Sequence, residues 1–239
     1  PIRADLDTVW RMLTTGEGLA AWYGTDASVD LVPGGEVRIA WGDGESATAF
    51  VDEMEPPRRF RVVYQYGDDA TGAEEWLLEH DRGVTHVRLI HALPDPGTDD
   101  WDGYYGDYRR GWRLFLRSLQ FALEDAPTPH RRADARFVPA PAGRAASWAD
   151  LLVRVAGRDH LAAGNRLELP TGEGADVLLV DPPHSLLLGL DSASLLADHE
   201  GAGEGLVLYL QAATHGADDH AAAGRRAALL SLAAADSRR

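Results

Sequence analysis

Residues 47–66 read Ala47-Thr48-Ala49-Phe50-Val51-Asp52-Glu53-Met54-Glu55-Pro56-Pro57-Arg58-Arg59-Phe60-Arg61-Val62-Val63-Tyr64-Gln65-Tyr66. Phe60, Val62, Tyr64 and Tyr66 recur at every second position, and the Pro56-Pro57 pair breaks the chain before them. Two extended runs joined by a turn are therefore expected. The same period spreads outward on both sides. Val37, Ile39 and Trp41 alternate with Glu36, Arg38 and Ala40, then Gly42-Asp43-Gly44 supplies a hairpin signal. Downstream, Trp76-Leu78-His80 and Val87-Leu89-His91 keep the period, with turns at Asp68-Asp69 and Asp81-Arg82-Gly83. The pattern predicts an antiparallel meander. Arg61, Gln65, Glu75, Glu79 and Arg88 fall on the opposite face, as in a sheet wetted on one side.

Helical patterns flank the meander. Asp5 and Asp7 precede Val9, Trp10, Met12 and Leu13, so an acidic cap opens a short amphipathic helix that Thr14-Thr15-Gly16 ends. Leu19, Trp22 and Tyr23, at i, i+3 and i+4, give a second short helix that Gly24 breaks. Beyond the loop Pro94–Asp100, the residues Trp101, Tyr105, Tyr108, Trp112, Phe115, Leu119 and Leu123 form a helical stripe expected to face the sheet. Arg109, Arg110, Arg113 and Arg117 lie on its other side, read as a solvated face.

Residues 126–146, with four prolines and clustered Arg and Ala, read as a linker or irregular crossover. Residues 147–239 then echo the first part. Ser147-Trp148-Ala149-Asp150 starts a helix as Asp7–Trp10 did, and Val180-Asp181-Pro182-Pro183-His184-Ser185-Leu186 parallels Met54–Phe60. Gly205–Ala212 reads as the late strand, with Val207 and Tyr209 facing one way and Leu206, Leu208 and Leu210 the other; 219–235 reads as the closing helix. The expected organisation is a domain at 1–125, a linker and a degenerate second copy at 147–239.

Composition removes whole mechanisms. All 23 basic residues are arginine and there is no cysteine. Lysine Schiff bases, phosphate-binding lysines, thiol nucleophiles, disulfides and thiolate metal sites are excluded. The net charge of −15 is spread as twelve arginines against 23 acids in residues 1–124 and eleven against 15 beyond. Such a chain repels phosphate backbones and anionic lipid, so neither nucleic acid nor membrane is an expected partner. No apolar run approaches the ~20 residues that span a bilayer, and the N-terminus lacks a signal-peptide pattern; a cytoplasmic protein is expected.

Residues 5–124 resemble the START-like (SRPBCC) domains of the family named after the activator of the heat-shock-protein-90 ATPase. The likeness is carried by Val9-Trp10-Arg11-Met12-Leu13-Thr14-Thr15 with Glu17-Gly18-Leu19-Ala20-Ala21-Trp22, by Val32-Pro33-Gly34-Gly35-Glu36-Val37, by Glu53–Phe60 and by Gly111-Trp112. It implies an α+β helix-grip fold, a curved antiparallel sheet around a long C-terminal helix with a cavity between them. The second part lacks the Gly-Gly entry and the aromatic closing helix, so it resembles the family only as a degenerate copy. The fold hosts metabolite binders, cyclases and co-chaperone domains, so function has to come from the site.

Trp22, Trp41, Tyr64, Tyr66, Trp76 and His91 on the sheet side, with Trp101, Tyr105, Tyr108 and Trp112 on the helix stripe, are the candidate ligand-binding residues. Their rings combine apolar area with hydroxyl and indole N–H groups, which suits a small hydrophobic or aromatic molecule. No catalytic residue is assigned. His91 is the weak candidate for a general base; Glu53 and Glu74 are the nearest carboxylates, and the sequence orients neither. The serines show no nucleophile context. His215-Gly216-Ala217-Asp218-Asp219-His220 matches no chelate spacing and reads as a helix entry. Gly201–Gly205 precedes a strand, which argues against a phosphate loop. Neither metal nor cofactor is expected. The leading expectation is non-catalytic binding of a small molecule. A chaperone-binding module and an aromatic natural-product cyclase using His91 are the alternatives.

Overall fold

The computed structural model describes residues 1–66, 70–94, 101–126, 131–140, 143–201, 205–216 and 219–234; at residues 66, 70, 101–104, 219 and 220 only the backbone is described. The loop expected at Pro94–Asp100 and the turn at Asp68-Asp69 fall mainly outside these residues. The chain divides into two compact units. Unit 1 is Pro1–Gly106 with Ala122–Asp125, and unit 2 is Asp107–Phe121 with Ala126–Arg239.

Unit 1 begins with helix α1 (Leu6–Thr14), capped by Asp5, whose Oδ1 accepts from the Thr8 amide at 2.8 Å. The hydrogen bond from the Thr8 hydroxyl, with this one from the amide, holds the exposed Asp5 carboxyl below its usual range. Helix α2 (Gly16–Ala20) follows immediately, because Thr15 caps it through the Gly18 amide at 3.0 Å. Gly18 sits where a Cβ would lie 2.2 Å from the Arg11 carbonyl oxygen, so only glycine lets the helices meet this closely. α2 stops at Ala20, earlier than the Leu19/Trp22/Tyr23 spacing suggests. Trp22 and Tyr23 lie in the turn beyond it and are still buried.

The meander is present as expected. Strands β1 (Asp26–Val29), β2 (Glu36–Gly42), β3 (Glu45–Glu55), β4 (Arg59–Tyr66), β5 (Ala70–Asp81) and β6 (Val84–Ala92) form one sheet in sequential, antiparallel order. Two-residue turns join β2 to β3 and β5 to β6; positive φ at Asp43 and Gly44, and at Arg82 and Gly83, gives them the twist that hairpins favour. Ile2 adds an antiparallel bridge to Thr85 on the free edge of β6. The inner face carries Phe60 and Val62 (each 2% exposed), Trp76 (4%) and Leu78 (2%). On it, the Trp10 ring meets Phe60 edge-on at 6.1 Å.

Helix α3 (Trp101–Glu124) is one continuous element, but its stretch Asp107–Phe121 clusters with unit 2 and not with the rest of the domain expected at 1–125. Leu119 of the aromatic stripe is fully buried. Leu114, Ser118 and Phe121, which lie off that stripe, are buried too, and a helix covered on more than one side has no single apolar face to reveal its partner. The segment read as a linker also needs correction. It contains β7 (Arg131–Pro139), paired along its whole length with β12 (Val207–His215). The proline signal misled, because Pro139 merely closes an edge strand, where a missing N–H costs nothing.

Unit 2 continues with α4 (Arg144–Ala156), β8 (Arg166–Glu168), β9 (Gly174–Asp181), β10 (Ser185–Leu190), β11 (Ala193–Glu200), β12 and α5 (Asp219–Ala233). Its sheet runs β7-β12-β11-β10-β9-β8. Leu186, Leu188, Leu190, Leu195, Ala197, Leu208, Leu210 and Ala212 form one core with Trp148, Leu151, Leu152 and Val155 of α4 and Leu229, Leu230 and Ala233 of α5. The opposite face meets the 107–121 stretch of α3: the Phe121 ring lies so close to Gly189 that a Cβ there would be 2.8 Å from it.

The strand orders of the two units correspond. In each, an N-terminal strand or bridge pairs with the last meander strand, helix follows it (α1 and α2 in unit 1, α4 in unit 2), and a Pro-Pro turn precedes the third strand from the end. The Leu78 amide donates to the Arg58 carbonyl at 2.8 Å, and the His199 amide to the His184 carbonyl at 3.0 Å, so even the bond beside that turn recurs. No described helix is long and apolar enough to cross a membrane.

Candidate functional site

Strand register assembles the site. Val62 pairs with Glu74, Phe60 with Trp76, and Glu74 with His91, so alternate residues of β4, β5 and β6 share the inner face. Glu74 is 4% exposed in the middle of that face. Its carboxyl accepts hydrogen bonds from the Tyr64 hydroxyl and the Trp76 indole N–H, which favour the charged form. Burial outweighs them and pushes its pKa up to about 8, so the group is largely a neutral acid at pH 7. The His91 Nε2 lies 3.8 Å from Glu74 Oε1, beyond hydrogen-bond reach. Burial pushes the imidazole down to about 4, and it is neutral as well. A single oxygen atom about 2.8 Å from both groups would bridge them.

Aromatic rings build the wall beside this pair. Trp22 is fully buried, donates its indole N–H to the Met12 carbonyl at 2.9 Å, stacks on Tyr23 at 5.1 Å and meets Trp76 edge-on at 6.0 Å. Tyr23 in turn meets Trp41 edge-on at 5.3 Å. The Trp41 indole N–H is buried and makes no hydrogen bond among the described residues. An aromatic wall with one spare N–H donor, beside a neutral acid and a neutral imidazole, can hold an apolar ring and orient a polar substituent.

Of the sequence-derived set, Trp22, Trp41, Tyr64, Trp76 and His91 belong to unit 1. Tyr105 is 41% exposed, and Tyr108 and Trp112 sit on the stretch of α3 that clusters with unit 2. The side chains of Tyr66 and Trp101 lie outside the described residues. Glu53 is excluded: it is an exposed carboxylate paired with Arg59, which also binds Glu75 at 2.6 Å. Sequence reasoning missed Tyr23 and left Glu74 unoriented, although the period running back from Leu78 and Trp76 puts Glu74 on their face.

Two further motifs can be placed. Asp219 opens α5, as a helix entry requires, while Asp218 and the His220 side chain lie outside the described residues, as does the middle of the Gly201–Gly205 segment. Ser147, read without nucleophile context, bonds the His199 Nε2 at 2.8 Å, and Nδ1 faces the His184 carbonyl at 3.2 Å. Both ring nitrogens of this buried histidine are thereby used.

The inner face of unit 2 offers none of this chemistry. By register from the Pro-Pro turn, the counterparts of Tyr64, Glu74, Trp76 and His91 are Leu190, Leu195, Ala197 and Ala212, all in the aliphatic core. A helix-grip sheet thus fills its inner face perfectly well without an acid, and unit 1 departs from that.

A helix-grip sheet presenting such a face defines a START-like α+β domain. Residues 3–124, just over half of the chain, match the model of the activator of Hsp90 ATPase homolog 1-like protein family, and the chain belongs to that family. Solved structures similar to it include the Aha1 dimer from Colwellia psychrerythraea, at 24% identity and a TM-score of 0.46, covering 52% of this chain and 91% of that one. DynU16, a protein in the dynemicin biosynthetic locus, is 21% identical with a TM-score of 0.46, covering 97% of this chain and 94% of its own. CalU16 from Micromonospora echinospora is 23% identical with a TM-score of 0.42, covering 52% and 71%. No curated protein matches the chain.

Proposed function

We propose that unit 1 binds a small aromatic or hydrophobic molecule bearing a carbonyl or hydroxyl group, without transforming it. The observation that carries this reading is Glu74, a buried acid held neutral among Tyr64, Trp76 and His91 where the corresponding sheet of unit 2 has Leu195. A buried carboxyl is costly to keep and adds nothing that leucine packing would not, so a ligand is the reason to retain it. The acid proton of Glu74 and the Trp41 N–H supply donors, His91 an acceptor, and the rings a flat apolar surface. The echo of this unit by residues 131–233 is a duplication in which the second inner face has been given over to packing.

Titration with 2-naphthol, followed by quenching of the unit 1 tryptophans, tests the binding. Saturable quenching is expected, with Trp41→Phe, which removes the spare N–H donor, weakening it by about threefold to tenfold, the worth of one neutral hydrogen bond. Native mass spectrometry of protein purified from its own host is expected to retain a small molecule. An empty protein that also ignores 2-naphthol defeats the reading.

One observation favours a second reading, a cyclase acting on aromatic natural products. Glu74 and His91 form a neutral acid and neutral base 3.8 Å apart, the protonation states that proton transfer at pH 7 requires. Replacing His91 by Ala then abolishes turnover while leaving ligand affinity within about tenfold. Equal loss of both would return the residue to a binding role.

A further inference from the structure

Unit 2 contains a buried cation with no anion beside it among the described residues. Arg131, at the start of β7, is 7% exposed. Its register opposite His215, with Ala135 opposite Gln211 and Phe137 opposite Tyr209, puts these six residues on the sheet face away from the α4/α5 core. Arg131 Nη2 donates to Gln211 Oε1, and Gln211 Nε2 donates to the Tyr209 hydroxyl at 3.1 Å. The remaining guanidinium nitrogens, Nε and Nη1, are buried and make no hydrogen bond among the described residues, nor does the buried His215 Nε2. Arg226, the other buried arginine among the described residues of this unit, shows what is missing: 9% exposed, it pairs with Asp134 and donates to the Thr214 hydroxyl at 3.1 Å.

A guanidinium taken out of water loses several kcal/mol of hydration, which is recovered only when an anion and hydrogen bonds replace the water. Gln211 and Tyr209 supply one neutral acceptor and no charge. The pKa of Arg131 is pushed down to about 10 by burial, so it remains a cation at neutral pH, while His215 is pushed down to about 4 and is neutral. Around these groups the surroundings are aromatic. The Phe121 ring meets His215 edge-on at 5.8 Å, and Phe137 lies 4.9 Å from Tyr209.

We propose that Arg131, with His215, Gln211 and Tyr209, forms an oxyanion-binding site in unit 2 that takes the carboxylate of an organic ligand whose body lies among Phe121, Phe137 and Tyr209. Arg131 Nε and Nη1 donate to the carboxylate, and the neutral His215 Nε2 donates in the tautomer that carries its proton there. The site is separate from the neutral acid of unit 1. It asks for the opposite ligand chemistry, an anion instead of a carbonyl or hydroxyl.

The test uses the full chain with sodium benzoate, inorganic phosphate and the neutral isostere benzamide, read by thermal unfolding. Benzoate at about a hundred times its Kd raises Tm by about 5 °C or more, and benzamide does not. Arg131→Met abolishes the shift. That variant is expected to melt no lower than the wild type, because an unpaired charge has been exchanged for an apolar chain of similar length. Independently of how the variant folds, the Arg131 Nε–H resonance of the wild-type protein moves on adding benzoate. A response to phosphate that exceeds the one to benzoate keeps the oxyanion site and names the inorganic ion as its source. No response to either anion in Tm or in the Nε–H resonance, or a shift that Arg131→Met retains, overturns it.

Discussion

Replacing Glu74 by Gln is expected to leave stability nearly unchanged at pH 5 and to make the protein several kcal/mol more stable than the wild type at pH 9. In the folded wild type the carboxyl has its pKa pushed from 4.5 up to about 8 by burial. The unfolded chain therefore loses this proton first, and stability falls as pH rises between those two values. The slope approaches about 1.4 kcal/mol per pH unit when one group titrates alone. His91 acts in the opposite sense. Its pKa is lowered from 6.5 to about 4, so its contribution is present above 6.5 and is lost as pH falls through that window. Above pH 6.5 the Glu74 slope is left uncovered, and Gln removes it while keeping one carbonyl oxygen, with two lone pairs, to accept from Tyr64 and Trp76. Urea unfolding of both proteins from pH 5 to 9, followed by tryptophan fluorescence, measures the difference. Parallel curves would mean that Glu74 is ionised in the folded protein, and the neutral-acid account of the site would fall.

Truncating Trp22 to Ala should be the most damaging change in unit 1. The side chain is fully buried, stacks on Tyr23, meets Trp76 edge-on and ties its indole N–H to Met12. Losing it removes a large apolar area, opens a cavity and leaves the Met12 carbonyl short of a donor, at a cost of about 3–5 kcal/mol. Domains have only about 5–15 kcal/mol in total, so the folded population at 37 °C should drop sharply. Trp22→Phe keeps the ring but not the N–H and should recover more than half of the loss. Val32→Ala, at a site 48% exposed, serves as the control and should stay within about 0.5 kcal/mol. A Trp22→Ala protein whose urea midpoint matches the control would show that the ring cluster does not hold the site together.

Much of unit 1 could be read residue by residue. The alternation of Val37 with Ile39 and of Phe60 with Val62 names the buried face, and Asp43-Gly44 and Arg82-Gly83 mark the hairpins by the positive φ that those turns need. Such signals are local: period two and turn chemistry depend on neighbours within a few residues. In unit 2 the signal weakens because both faces of the sheet are covered. Leu186–Leu190 is buried at every position, so alternation disappears and a strand looks like any apolar run. β7 escaped for the opposite reason, since its alternate positions are Arg131, Ala133, Ala135 and Phe137, an edge strand with little apolar content to mark it.

The sequence by itself determined the family, the meander, the long aromatic helix and most of the ring-bearing positions of the site, because propensity, period and turn residues are properties of short stretches. Only the tertiary structure decided that Glu74 is a neutral acid beside His91, that Asp107–Phe121 of α3 clusters with unit 2, and that Arg131 is buried with no carboxylate partner among the described residues. Each of these depends on which distant residue lies across a strand pair or against a helix, and so on register and packing between segments far apart in the chain. The charge state of a buried group follows from that enclosure.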